Sequence, residues 1–160
     1  MLRKKANPNV TNPLRVINEY ISYGGETPLQ LAVANSDAET YRILRRYDAS
    51  TQVHNDDNET LLHIAIRAEG YDLIPYIIKD KVDVNALDKE GRSALMLFLN
   101  NEAFSFDPDD PEREEMLLAT LKALVAGGAT RQQKPLEGNN PVTLAQEHPR
   151  LKAYLLEQGF

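Results

Sequence analysis

The chain has 160 residues, 42% of them hydrophobic, a formal net charge of −6 and no cysteine. That length and composition suit one ordinary domain or a short solenoid with a packed core. The acidic balance disfavours wholesale binding to nucleic acid or anionic membrane, and the lack of thiols excludes disulfides and thiolate metal sites. No apolar run approaches the ~18–20 residues needed to span a bilayer. Met1-Leu2-Arg3-Lys4-Lys5 is charged with no apolar stretch behind it, so it does not read as a signal peptide.

In chain order, the first predicted element is an irregular capping helix over Pro13 to Tyr23. Leu14, Val16, Ile17, Tyr20 and Ile21 form its apolar face, and Gly24-Gly25 stops it. Next comes Gly25-Glu26-Thr27-Pro28-Leu29-Gln30-Leu31-Ala32, where Thr27 caps a helix and Pro28 suits its first position. Leu29, Leu31 and Ala32, then Tyr41, Ile43 and Leu44, give helical apolar spacing in two bursts. Asn58-Glu59-Thr60-Leu61-Leu62-His63-Ile64-Ala65 repeats the pattern, with a second helix expected from Asp72 to Asp80 and Pro75 near its start. Gly91-Arg92-Ser93-Ala94-Leu95-Met96-Leu97-Phe98 is the third copy. A fourth, Gly138-Asn139-Asn140-Pro141-Val142-Thr143-Leu144-Ala145, follows before a last helix at roughly Pro149 to Gln158. Ala32, Ala34 and Ala65 let helices approach closely, and Tyr41, Tyr71, Tyr76 and Tyr154 read as core.

The first three copies recur every 33 residues, the mark of a stacked repeat protein in which each unit buries its apolar face only against its neighbours. The fourth lies 47 residues after Ser93, which places a 14-residue insertion at about Glu102 to Glu115. Turn-like stretches at Asp48-Ala49-Ser50, Lys81-Val82-Asp83-Val84-Asn85 and Gly127-Gly128-Ala129-Thr130 precede Thr60, Ser93 and Asn140 by one constant interval. Together with the Thr27-Pro28-Leu29-Gln30 and Thr60-Leu61-Leu62-His63 tetrapeptides, this pattern resembles the ankyrin repeat. The resemblance implies an all-α ankyrin-repeat solenoid of about four helix-turn-helix units with short turn or hairpin fingers. An irregular segment would occupy 1–23. Units would follow at about 24–56, 57–89, 90–136 with the insertion at 102–115, and 137–160 as the carboxyl-terminal cap. Leu2 to Val10 is similar to the tail of a unit, with Ala6 in the place of Val82. The chain is then either cut from a longer one, with a leader lost, or capped by the Pro13 to Tyr23 helix.

In ankyrin repeat proteins partners meet the turn tips and the exposed face of the first helix. Carried over, the tips are Glu26; His54, Asp56, Asp57 and Glu59; Leu87, Lys89, Glu90 and Arg92; and Lys134, Leu136, Glu137 and Asn139. The helix face is Ala34, Asn35, Arg67, Ala68, Asn100, Asn101, Glu147 and His148. Leu87 stands out as an apolar side chain on a tip, a contact anchor or simply an exposed leucine. The resemblance also gives His63 a structural role, its imidazole bonding the neighbouring turn.

The insertion carries seven carboxylates, one arginine, Phe104 and Phe106. It reads either as an acidic binding loop or as a helix start, since Asp110-Pro111-Glu112 offers a cap, a first-turn proline and a charge suited to the dipole. It has no glycine for a calcium-loop bend, and the three histidines are scattered, so neither calcium nor zinc is expected. No catalytic motif appears and no cofactor is implied. The expectation is a noncatalytic protein-protein interaction module, monomeric and cytoplasmic, whose partner is a protein with a basic patch. It could be secreted or periplasmic if a leader has been removed. Narrower versions are an inhibitor or immunity-type protein and a secreted effector. The alternative is a regulatory domain excised from a larger enzyme or scaffold.

Overall fold

The computed structural model describes residues 6–11, 26–101, 110–130 and 140–160. The expected Pro13 to Tyr23 helix, Phe104, Phe106, Lys134, Leu136, Glu137 and Asn139 lie outside these residues. Four helix pairs follow one another: α1 (Pro28–Ala34) with α2 (Ala38–Arg46), α3 (Leu61–Arg67) with α4 (Ile74–Lys79), α5 (Ala94–Leu99) with α6 (Pro111–Ala126), and α7 (Pro141–Leu144) with α8 (Pro149–Glu157). First helices stack in one layer, α1 on α3, α3 on α5 and α5 on α7. In the second layer α4 packs on α6 and α6 on α8. The interior between the layers is continuous, with Leu29, Leu61, Leu62, Ile66, Ile77, Leu95, Phe98, Leu121, Leu151 and Leu155 all essentially out of solvent. Burying each such side chain is worth roughly 1.5–3 kcal/mol, and none of these short helices would persist without it.

The helix starts are set chemically. Thr27 caps α1 while the Gln30 Oε1 reaches back to the Thr27 amide at 2.8 Å. Ser93 caps α5 and Asn140 caps α7. The Asp110 carboxylate accepts the Arg113 amide at 2.9 Å with Pro111 at the first position of α6. Asp110 is therefore the cap, and the last five residues of the expected insertion the opening, of a 16-residue second helix. The other second helices differ from expectation in detail. Tyr71–Leu73 form a 3₁₀ turn before α4, so the segment is not a continuous α-helix from Asp72. Ile43 and Tyr76 point outward, at 36% and 41% exposure, although their spacing reads as core. With two layers only, a second helix of six to nine residues has room to bury one narrow stripe.

Unit boundaries use the left-handed backbone region, and mostly without glycine. Asp48 and Lys81 end α2 and α4 with φ of 61° each, at the register of Gly128 after α6. A side chain in that conformation costs roughly 1–2 kcal/mol. Lys81 is solvent-exposed and its hydrogen bonds are those of the backbone, its amide donating to the Ile78 carbonyl at 2.9 Å and its carbonyl accepting Gln52 Nε2 at 3.3 Å, both of which glycine keeps. Lys81→Gly will therefore raise unfolding free energy by up to about 1 kcal/mol after the entropic cost of glycine. A urea melt showing destabilisation would remove strain at this turn from the account.

Side chains of one turn also clamp the next. Asn85 Nδ2 donates to the Gly128 carbonyl at 2.8 Å and its Oδ1 accepts the Thr130 amide at 3.0 Å. Gln52 makes the corresponding bond to Lys81. Asn9 accepts the Ser50 amide at 2.7 Å. Asn9 holds the register of Asn85 when Ala6 holds that of Val82, so residues 6–11 sit on the first unit as a repeat tail does. In the second layer, Asp80 accepts the Tyr41 hydroxyl at 2.7 Å and Arg45 Nε at 2.9 Å, tying α2 to α4. Burial and the neighbouring Asp80 carboxylate both push the Tyr41 hydroxyl above its ordinary range.

Candidate partner-binding face

Two adjacent fingers, residues 55–59 and 88–92, are built alike. Asn55 and Asp88 each turn the chain by accepting two amides on one side-chain oxygen: Asp57 and Glu59 for Asn55, Glu90 and Arg92 for Asp88, all at 2.9–3.0 Å. Backbone bonds from the Asn55 amide to the Glu59 carbonyl and from the Asp88 amide to the Arg92 carbonyl close each hairpin. Asn58 and Gly91 supply the positive φ each tip requires. The fingers are joined by the Lys89 amide on the Asp57 carbonyl at 2.9 Å and by Asn58 Nδ2 on the Leu87 carbonyl at 2.7 Å. A single bridge pairs Leu87 with Ser93, and among the described residues there is no extended strand.

His63 ties a finger to the core. Its Nδ1 accepts the Thr60 amide at 3.3 Å, so the ring proton lies on Nε2, which donates to the Arg92 carbonyl at 3.0 Å. Burial pushes the imidazole below its ordinary range. The structural role expected of His63 is the one observed.

The electrostatics of the face are lopsided. Among the described residues it carries Glu26, Asp56, Asp57, Glu59, Asp88 and Glu90 against Arg67, Lys89 and Arg92. All three cations are already engaged within it: Arg67 with Glu59, Lys89 with Asp57 at 3.8 Å, and Arg92 with Asp88 at 2.8 Å and Glu90 at 2.6 Å. Three negative charges are thus left uncompensated. Burial, then Asp56 and Glu59, raise the Glu26 carboxyl above its usual range, and one of its oxygens is buried without a partner. Burial also opposes ionisation of Asp88, but the Arg92 amide and guanidinium outweigh it and hold that carboxyl low.

The expected contact residues fall into three groups. His54, Asp56, Asp57, Leu87, Lys89 and Glu90 are exposed on the fingers, and Arg67 and Asn100 on the adjoining helix ends. Arg92 and Asn101 are half-buried, the latter bonded to Tyr71. Glu59 corrects the expectation: it is 3% exposed, its carboxylate taking Asn55 Nδ2 at 2.7 Å and Arg67, so it braces the finger from inside. His148 is likewise no surface residue, being 1% exposed at the start of α8. Neither burial was visible from register: Arg92, one period after Glu59, is only half-buried, and Glu59 is drawn in by Asn55 and Arg67. Sequence reading also passed over a groove of about 650 Å3 between α2 and α4, lined by Arg42, Arg46, Tyr76 and Lys79 among others. Its signal was the Arg42/Arg46 pair one helical turn apart.

Stacked helix pairs with rigid, partly unpaired fingers define a repeat scaffold of the kind that holds other macromolecules. The chain belongs to the ankyrin repeat family: the family model for ankyrin repeats in three copies matches residues 1–88. It is 38% identical over 76 residues to an ankyrin repeat protein of Fowlpox virus (strain NVSL), covering 47% of this chain and 22% of that protein. It is 34% identical over 77 residues to the B-cell lymphoma 3 protein homolog of Mus musculus, covering 46% of this chain and 17% of the relative. The chain thus spans about a fifth of the length of the curated relatives it matches. Ankyrin repeats are generally protein-protein interaction modules. No helix among the described residues is long and apolar enough to cross a membrane.

Proposed function

We propose that this chain is a noncatalytic binding module whose fingers and first-helix ends take a protein partner with a basic surface. The observation that carries the reading is the uncompensated negative charge on a pre-ordered face. Every cation there is already paired, so incoming lysine or arginine side chains meet Asp56, Glu26 and the outer oxygens of Asp57 and Glu90 without displacing a resident base. Because the fingers are held by backbone bonds, little ordering entropy is lost on contact. Leu87, 41% exposed between the charged tips, supplies the apolar contact. Exposed charge of this kind acts mainly on encounter rate and is screened by salt.

The test is affinity capture from source-cell lysate at low and high salt, with Asp56→Lys/Asp57→Lys as control, followed by titration of the captured partner. The charge-reversed variant will fold normally and bind on the order of tenfold or more weakly, chiefly through a slower on-rate. A partner held with unchanged affinity by this variant would refute the acidic face as the contact.

A further inference from the structure

We infer that the opposite side of the solenoid, the α2/α4 face, is a second interaction surface of reversed charge, and that its partner is an acidic protein segment carrying apolar side chains. In a chain of net charge −6, this face concentrates cations. Arg42, Arg46 and Lys79 line one groove and make no ion pair among the described residues. Of the two carboxylates there, Asp80 is consumed by Arg45 and Tyr41, which leaves Glu39 alone to oppose three cations.

The groove is ordered before any ligand arrives. The Arg42 guanidinium lies 4.7 Å from the Tyr76 ring centroid and donates to the Tyr76 hydroxyl at 2.9 Å. Arg45 is fixed against Asp80 and the Ala49 carbonyl. Ile43 and Tyr47 form a stripe on α2 one residue round from Arg42 and Arg46, at 36% and 62% exposure. Arginine and tyrosine are the side chains on which interfaces concentrate their binding energy. A tyrosine held beneath a guanidinium gives an anchor with little conformational freedom to lose.

Interleaved apolar side chains favour protein over a polyanion. Nucleic acid needs a continuous track of phosphate-binding cations, whereas this cluster is short and flanked by the carboxylates of Glu39 and Asp48. The opposed signs of the two faces allow the module to hold a basic and an acidic partner at once.

The experiment is fluorescence anisotropy of the full chain with a short labelled peptide rich in glutamate and aspartate with interspersed leucine and tyrosine. Anionic phospholipid vesicles and single-stranded DNA serve as competitors. Arg42→Glu/Arg46→Glu lies on exposed helix surface, and a thermal melt will verify its fold. Asp56→Lys/Asp57→Lys reports on the finger face. The acidic peptide will bind wild type in a salt-sensitive manner, will bind Arg42→Glu/Arg46→Glu on the order of tenfold or more weakly, and will bind the finger variant no more weakly than wild type. No binding to wild type, equal binding to the folded arginine variant, or displacement of the peptide by vesicles or DNA at lower concentrations than by unlabelled peptide each overturns the inference.

Discussion

Replacing Leu62 by alanine will lower the unfolding free energy by about 2–5 kcal/mol, the range for a leucine removed from a close-packed interior. Leu62 has no exposed surface and sits on α3, which is packed between α1 and α5. A void there weakens two interfaces, because a repeat array is held together by neighbour contacts and little else. Against a total stability of ordinarily 5–15 kcal/mol, that is a large fraction. Leu95→Ala, one period further on, will behave alike, since Leu95 is 1% exposed on α5. Leu87→Ala will change stability by no more than about 0.5 kcal/mol. Urea denaturation of the three variants measures the order, and a Leu87 variant less stable than the Leu62 variant would break the assigned register.

The contrast among these leucines shows why the fold was legible. Leu62, Leu95 and Leu87 are chemically identical, and only their position in a 33-residue period separates core from tip. The same period sets Thr27, Thr60 and Ser93 at equivalent positions, and each is the residue that opens a first helix, because a hydroxyl before an apolar burst suits a helix start. What register does not carry is which way a polar side chain turns. Glu59 and Asp57 are two residues apart on one acidic finger, yet one is buried under Arg67 and the other is solvated. That outcome depends on Asn55 and Arg67, which approach only in the fold. Tyr76 was misread for the converse reason. Apolar spacing marks a buried stripe, but a partner as distant in sequence as Arg42 makes an outward tyrosine equally stable. The clustering of charge was invisible in the total, since −6 does not show that Arg42, Arg45, Arg46 and Lys79 gather on the α2/α4 groove while carboxylates gather on the fingers.

Replacing His63 by leucine will destabilise the chain at neutral pH, and the cost will come from polar groups left behind. The leucine fills the space but strands the Thr60 amide, worth about 1–3 kcal/mol when buried without a partner, and takes from the Arg92 carbonyl one of its two donors, leaving it the Asp88 amide. His63→Gln will cost less. The first unit already shows what glutamine does here: Gln30 keeps the cap on the Thr27 amide, while its Nε2 has no hydrogen-bond partner. The glutamine variant therefore retains the helix start and loses the bond to the next finger. The same residue makes stability pH-dependent with a definite sign. The folded-state imidazole titrates below its ordinary 6.5, so as pH falls past 6.5 the unfolded chain takes up a proton that the folded chain refuses. A proton on Nδ1 would face the Thr60 amide, donor against donor. The stability held above pH 6.5 is thus lost as the pH falls from there through the depressed folded value. Melts at pH 7.5 and 5.5 will show wild type losing stability on acidification and His63→Gln losing less over the same interval. Equal losses in both proteins would place the acid sensitivity elsewhere and return His63 to the status of a space-filling ring.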